Sequence, residues 1–478
     1  MNKTAAIIGG GVIGGGWLAR FVLNGWDVRV FDPDPEAKRK IDAVLVNARR
    51  ALPMLYDVAL PAEGRITYCE TIALAVTGAA WIQESVPERL DIKHAVYQEI
   101  AKSVDASAII GSSTSGFKPS ELQLGLDCAA QLIVTHPFNP VYLLPLIELV
   151  PSAENSIDLI TKAKKTLSSL GLYPLHVRKE IDAHIADRLL EAVWREGLWL
   201  INDGIATTEE IDNAIRYGFG LRWAQMGLFE TYRIAGGEAG MKHFIAQFGP
   251  CLKWPWTKLM DVPELTDTLV DTIGTQSDAQ ADGKTIRDLE RLRDDNLVAM
   301  MRALKGQDAA AGALLNAHEK SMTVEIEPNH TKPIITVNRM IPVDWTDYNG
   351  HMNESRYGQV FSDAADVMMA NIGADENYIA AGNSFFTVDI NIKFILETHA
   401  GDTISVQSQI LEAGGKKLRL YHRMLAADGT LLATGEQLLI HVSLETRRAC
   451  EPTAALSASL QNMAAMHASL PDPKSTKG

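Results

Sequence analysis

Two residues twelve apart, His136 and Glu148 in THPFNPVYLLPLIELV, have the types needed to move a proton. An imidazole, with an ordinary pKa of about 6.5, takes the proton of an alcohol near neutral pH while a hydride leaves the carbinol carbon. A carboxylate on the other ring nitrogen fixes the tautomer and stabilises the imidazolium. The hydride needs an acceptor, and IIGGGVIGGGW offers it a seat. Gly9, Gly11 and Gly14 form G-x-G-x-x-G, with Gly10, Val12 and Ile13 between them. The first glycine permits a tight turn, the second lets backbone approach a pyrophosphate, and the third lets helix and strand pack closely. Asp32 follows 23 residues after Gly9, where a carboxylate grips a ribose diol. No arginine adjoins it to hold a 2′-phosphate, so NAD is expected over NADP. A second cluster, TDYNGHMNESRY, sets Asp347, Asn349, His351 and Asn353 at the mouth of a helical stripe. By residue type alone, Asp347 and Asn353 also read as a turn and an N-cap.

The elements around these residues fall into three patterns. Short apolar runs at 5–8, 28–31, 81–82, 108–110 and 132–134 alternate with helical segments such as 36–51 and 90–103. That alternation predicts a parallel sheet covered by helices, an α/β Rossmann domain over 1–180. An all-α domain is expected over 181–320, with helices at 183–202 and 286–304. A polar stretch, 321–333, reads as a linker. Over 334–470 an α+β domain is expected. Tyr357, Val360, Phe361, Ala364, Met368 and Ile372 make a helical stripe closed by Gly373, and alternating runs follow, with turns at Gly414-Gly415 and Asp428-Gly429.

Composition narrows the class. A chain of 478 residues exceeds one ordinary core. With 46% hydrophobic and 22% charged residues it reads as soluble and globular. A net charge of −14 without a long basic tract argues against nucleic acid or an anionic membrane as partner. Cys69, Cys128, Cys251 and Cys450 are scattered, so reduced thiols and no metal are expected. Arg20 and the six glycines from Gly9 to Gly16 do not suit a signal peptide. No stretch approaches the roughly 18 apolar residues of a membrane span, and a cytoplasmic location is expected.

HPFNP with Glu148 beyond it, after the glycine fingerprint and SSTSG, resembles the L-3-hydroxyacyl-CoA dehydrogenase family over about residues 1–320. The resemblance implies His136 as base and Glu148 as its partner. It also implies Ser115 beside the substrate oxygen, Asn139 in the same loop, and Glu88 and Lys93 at the cofactor. Asp187 stands where the family has an asparagine before RLL, and the stretch between Asp32 and Glu88 aligns as shorter than in CoA-utilising members. Residues 218–244 instead resemble the small-hydroxy-acid branch that holds gulonate and L-carnitine dehydrogenases. That implies NAD-dependent oxidation of L-carnitine to 3-dehydrocarnitine. A trimethylammonium donates no hydrogen bond and is held by aromatic faces and negative charge. Tyr142, Trp223, Tyr217 and Phe219 are the candidate walls, and Asp187 or Glu230 the counter-charge.

VDWTDYNGHMNESRYGQVF resembles the hotdog-fold acyl-CoA thioesterases over about 334–445. The resemblance implies Asp347 as nucleophile or general base, helix N-terminal amides polarising the thioester carbonyl, and Asn349, His351 and Asn353 as positioning residues. Fused to the first activity, it implies betainyl-CoA as substrate and glycine betaine as product; Trp345 and Phe386 read either as core residues, the safer expectation, or as further rings for the ammonium. Both families imply a homo-oligomer, expected as a dimer. The alternative is a dehydrogenase for another 3-hydroxy acid (gulonate-like or 3-hydroxyacyl) carrying a non-catalytic hotdog module for dimerisation or CoA binding.

Overall fold

The computed structural model describes residues 3–235, 240–250, 257, 258, 264, 266–322 and 332–474. The chain forms two compact units, Met1–Arg49 with Pro61–His318, and Arg50–Leu60 with Glu319–Gly478.

The first unit is built on eight strands: β1 (Thr4–Ile8), β2 (Asp27–Phe31), β3 (Ile66–Tyr68), β4 (Trp81–Glu84), β5 (Ile109–Ser112), β6 (Leu132–Pro137), β7 (Leu146–Val150) and β8 (Tyr173–His176). Their order is β3-β2-β1-β4-β5-β6-β7-β8. All neighbours run parallel except β6 and β7. Every residue of β4, β5 and β6 is buried, which is why these strands read as unbroken apolar runs. Ile8, Ile82, Ile110 and Val134 on successive strands share one core with Tyr97 and Ile100 of the Leu90–Ala101 helix. The order reverses between β1 and β4, so the carboxyl ends of these strands open a crevice where a doubly wound sheet binds its ligand. Strand β3 is mostly exposed and β8 half-exposed, so neither shows the buried run that marks the others.

Helices follow, among them Ala186–Asn202, Gly220–Ala235, Asp267–Ala281, Ile286–Gly306 and Ala311–Met322. The helix expected from residue 183 begins later, because Ala183 and His184 take left-handed φ values of 57° and 51°. Two successive non-glycine residues there cost roughly 1–3 kcal/mol each, a strain that functional sites often hold. Of the expected linker, Ser321 and Met322 finish a helix, and 323–331 lie outside the described residues. No described helix is long and apolar enough to cross a membrane.

The second unit wraps a five-stranded antiparallel sheet around the helix Glu354–Ile372. Its strands are β9 (Ile334–Met340), β10 (Asn383–Phe394), β11 (Thr403–Gly414), β12 (Lys417–Ala426) and β13 (Leu431–Ser443), in the order β10-β13-β12-β11-β9. The stripe Tyr357, Val360, Phe361, Ala364, Met368 and Ile372 is buried, each large side chain contributing about 1.5–3 kcal/mol. Gly373, at φ 94°, closes the helix. Gly435 admits Phe361, since a Cβ there would stand 2.7 Å from the ring. Of the alternation at 388–394, Ile392 packs on the core. Val388, Ile390 and Phe394 are exposed on edge strand β10, downstream of a register shift between Thr387 and Asp389. Residues 50–60, expected within the N-terminal domain, group with this unit. Leu52, Met54 and Leu55 are buried there, and Asp57 pairs with Arg339 of β9.

Candidate active sites

The nucleotide cleft sits where β1 ends. Gly9 has φ 99°, and a Cβ on it would lie 2.6 Å from the Ser85 carbonyl oxygen. A Cβ on Gly14 would lie 1.8 Å from the carbonyl oxygen of Gly9, so neither position admits a side chain. Gly11 faces open space, which leaves its backbone free for close approach by a phosphate. The Gly10 amide donates to Asp32 Oδ2 at 2.5 Å, and Asp32 Oδ1 accepts from the Asp34 amide at 2.7 Å. This fixes the carboxylate at the rim of a cleft of about 590 Å³, lined by Gly9, Gly10, Gly11, Asp32, Ser85 and Val86 among others. Val12 is exposed and Ile13 half-buried at the start of the Val12–Val22 helix. Lys40 also lines the cleft, with its ammonium 2.6 Å from Asp34. The set fits NAD: bare glycine amides for the pyrophosphate, a carboxylate for the ribose, and a lysine already paired.

Glu88 braces the neighbouring loop. Its Oε1 accepts the Thr114 hydroxyl and the amides of Ser115 and Gly116, both at 3.1 Å. Burial works against its charge, but the Thr114 hydrogen bond and nearby Lys93 outweigh it and hold its pKa below the usual value. Ser115 is left exposed. Lys93 lies inside the fold, 1% exposed, with its ammonium 2.8 Å from Glu84 and 3.3 Å from Glu88.

Strands β6 and β7 put His136 directly opposite Glu148, and His136 Nδ1 lies 3.0 Å from Glu148 Oε2. The other carboxylate oxygen accepts the amides of Ile185 and Ala186 at 2.8 and 2.9 Å. The left-handed turn at Ala183 and His184 leads directly into those two amides. Burial opposes the Glu148 charge, yet the hydrogen bonds from His136, Ala186 and Ile185 keep its pKa below 4.5. A carboxylate so placed keeps Nδ1 protonated and leaves Nε2 as the basic nitrogen. Asp187 Oδ2 stands 3.6 Å from Nε2, beyond a direct hydrogen bond. Burial raises the Asp187 pKa, with His136 opposing and Glu148 adding to the rise. His184 was not singled out from the sequence. It is fully buried, its ring centre 5.6 Å from that of His136, and burial lowers its pKa.

A pH consequence follows for Glu148. Its folded pKa is depressed, so its stabilisation is complete above 4.5 and disappears as pH falls through the lower folded value. Glu148→Gln is expected to cost roughly 1–3 kcal/mol near neutral pH and to flatten the acid limb of stability. Urea midpoints of both proteins, followed from neutral pH into the acid limb, check this.

Asn139 is exposed and lines a small pocket with Tyr142 and Arg293. Tyr142 is 4% exposed, its hydroxyl donating to Asp294 at 2.7 Å and accepting from Arg293 at 3.1 Å. Trp223 packs on Phe219 with centroids 4.6 Å apart, and Tyr217 and Glu230 are exposed. Among the described contacts, none of these four joins the His136 cluster, and only Asp187 of the expected ammonium partners does.

In the second unit, half-buried Asp347 holds its own loop. Its Oδ1 accepts the amides of Asn349 and His351 at 2.8 and 3.3 Å, and its amide donates to the His351 carbonyl at 2.9 Å. Gly350, at φ 80°, makes the turn, and Asn349 is exposed. Asn353 is the N-cap of Glu354–Ile372, accepting the Ser355 amide at 3.0 Å and its hydroxyl at 2.6 Å, so its structural use is capping. His351 Nε2 lies 3.4 Å from Glu397. Trp345 is buried, as its type also suggested. Arg339 lies 4.1 Å over the Trp345 ring and Arg447 5.3 Å over that of Phe386, so both aromatic faces already hold a cation.

Residues 4–181 match the 3-hydroxyacyl-CoA dehydrogenase NAD binding domain, 184–268 its C-terminal domain, and 341–460 the thioesterase-like superfamily. The chain is 63% identical over 476 residues to an L-carnitine dehydrogenase/betainyl-CoA thioesterase of Ruegeria pomeroyi, covering 98% of each chain. An L-carnitine dehydrogenase of Mesorhizobium japonicum is 59% identical over 327 residues, which are 67% of this chain and 90% of that one. Among solved structures, the NAD+ dependent dismutase 5-formyl-3-hydroxy-2-methylpyridine 4-carboxylic acid 5-dehydrogenase aligns with a TM-score of 0.54 at 26% identity. It covers 64% of this chain and 99% of that one.

Proposed function

The chain belongs to the L-carnitine dehydrogenase/betainyl-CoA thioesterase family, and from that premise we propose that each unit carries one of the two reactions. NAD is the cofactor of the first unit, where it supplies the hydride acceptor when bound. His136 Nε2 takes the proton of the 3-hydroxyl of L-carnitine as the hydride leaves C3, giving 3-dehydrocarnitine and NADH. Glu148 keeps the ring in the reactive tautomer and stabilises the imidazolium. Exposed Ser115 and Asn139 orient the reacting oxygen.

The observation that carries the substrate is Asp187, 3.6 Å from the basic nitrogen. In carnitine the quaternary nitrogen is separated from the carbinol carbon by one methylene. Its counter-charge therefore has to stand within a few ångströms of the base, and Asp187 does. Exposed Glu230, outside the cluster, does not. Asp187→Asn is expected to raise the Michaelis constant for carnitine at least about tenfold, with a smaller change in kcat. Because Asp187 titrates above the usual range, that constant should also rise in the wild type as pH falls and Asp187 is neutralised. Initial rates with carnitine, gulonate and 3-hydroxybutyrate measure both effects. An unchanged constant in the variant removes Asp187 from the pocket.

In the second unit, Asp347 acts as nucleophile or general base on betainyl-CoA. The carbon–sulfur bond breaks, water supplies the second oxygen of glycine betaine, and CoA leaves as the thiol. Amides at the start of Glu354–Ile372 polarise the carbonyl. A cytoplasmic homodimer is part of the same proposal. The exposed apolar side chains of edge strand β10 offer a surface that a second copy would cover.

A further inference from the structure

Beside Asp347 the second unit gathers three further groups, His351, Glu397 and His399. An antiparallel bridge sets His351 opposite His399, which brings directly opposed Cβ atoms to about 5 Å. Glu397 precedes His399 by two residues, so in extended chain the two side chains leave on one side. One potential ligand atom from each residue lies within 4.8 Å of the others. His351 Nε2 and Glu397 Oε2 are 3.4 Å apart, longer than an ordinary N–H···O hydrogen bond. It is, however, the separation of two donors on a tetrahedral ion with bonds of about 2.1 Å. The imidazole rings meet edge to face, centres 4.9 Å apart and planes at 79°.

A fourth residue orients the set. Asp402 Oδ2 accepts the His399 amide at 2.8 Å and the Thr398 hydroxyl at 3.1 Å, and stands 3.6 Å from His399 Nδ1. Asp402 thereby pins the backbone from which His399 projects, an outer support of the kind metal ligands usually have. His351, Glu397 and His399 are all open to solvent, so water can complete the shell.

We infer that His351, Glu397 and His399 form a site for one divalent cation of the zinc class, oriented by Asp402 and with a fourth position open to water. Two imidazoles and one carboxylate suit Zn²⁺ and Co²⁺ better than Mg²⁺ or Ca²⁺, which prefer all-oxygen shells. The His351 amide donates to Asp347, so a bound ion ties down the loop that carries this acid. The site itself stands on geometry and does not depend on what Asp347 does.

The full chain, stripped with a chelator, is titrated with Co²⁺ and read by its visible absorption. One saturating ion per chain with the intense bands of four-coordinate cobalt is expected, displaced by Zn²⁺. His399→Ala and Glu397→Gln should each abolish the bands. Asp402→Asn should keep them with affinity lowered roughly 10–100-fold. Far-UV circular dichroism and the thermal unfolding of the second unit report that each variant is folded. Absence of saturable absorption in the wild type, or bands that survive His399→Ala, overturns the site.

Discussion

His136→Gln lowers NADH formation from L-carnitine by about 10²–10⁴-fold, the usual share of a general base. His136 is 4% exposed and its Nδ1 serves Glu148, so an amide in its place still donates to that carboxylate. The strand pairing and the glycine turn are untouched, and NAD affinity should stay at the wild-type level by fluorescence titration. A glutamine side chain is no base at neutral pH, so the loss falls on kcat and on kcat/KM together. If instead KM alone changed, His136 would be a binding residue and the proton would have another acceptor.

Asp347→Asn removes hydrolysis of betainyl-CoA by a comparable factor, about 10²–10⁴. Asparagine retains an oxygen to accept the Asn349 and His351 amides, so the turn at Gly350 should survive. What disappears is the charge that attacks the carbonyl or takes a proton from water. Among the described residues no hydrogen bond engages Asp347 Oδ2, which leaves that oxygen for the reaction. Release of CoA, followed with a thiol reagent, measures the effect. Hydrolysis at the wild-type rate would reduce this unit to a binding module.

What could be read from the sequence was what neighbouring residues determine. The glycine fingerprint is legible because each glycine answers a local steric demand, seen at Gly9 and Gly14. His136 and Glu148 are legible because their strands return on each other and pair at that register. The amides of Ile185 and Ala186 on Glu148 are not, since they depend on a left-handed turn at Ala183 and His184 that no glycine or asparagine announces. Tyr142 reads as a free aromatic wall until Asp294 and Arg293, some 150 residues later, take its hydroxyl. Trp345 and Phe386 read as core or as ammonium partners until their faces are found under arginines. His351 and His399, 48 residues apart, carry no metal-motif spacing, and only the bridge between them makes a pair.

Two independent reactions on one polypeptide are measured most directly by assaying both in each point variant. Full-length wild type, His136→Gln and Asp347→Asn are each given L-carnitine with NAD, and separately betainyl-CoA. A clean exchange is expected: His136→Gln stops NADH formation and releases CoA at the wild-type rate, while Asp347→Asn does the reverse. One substitution silencing both reactions, or both substitutions leaving both intact, would contradict it.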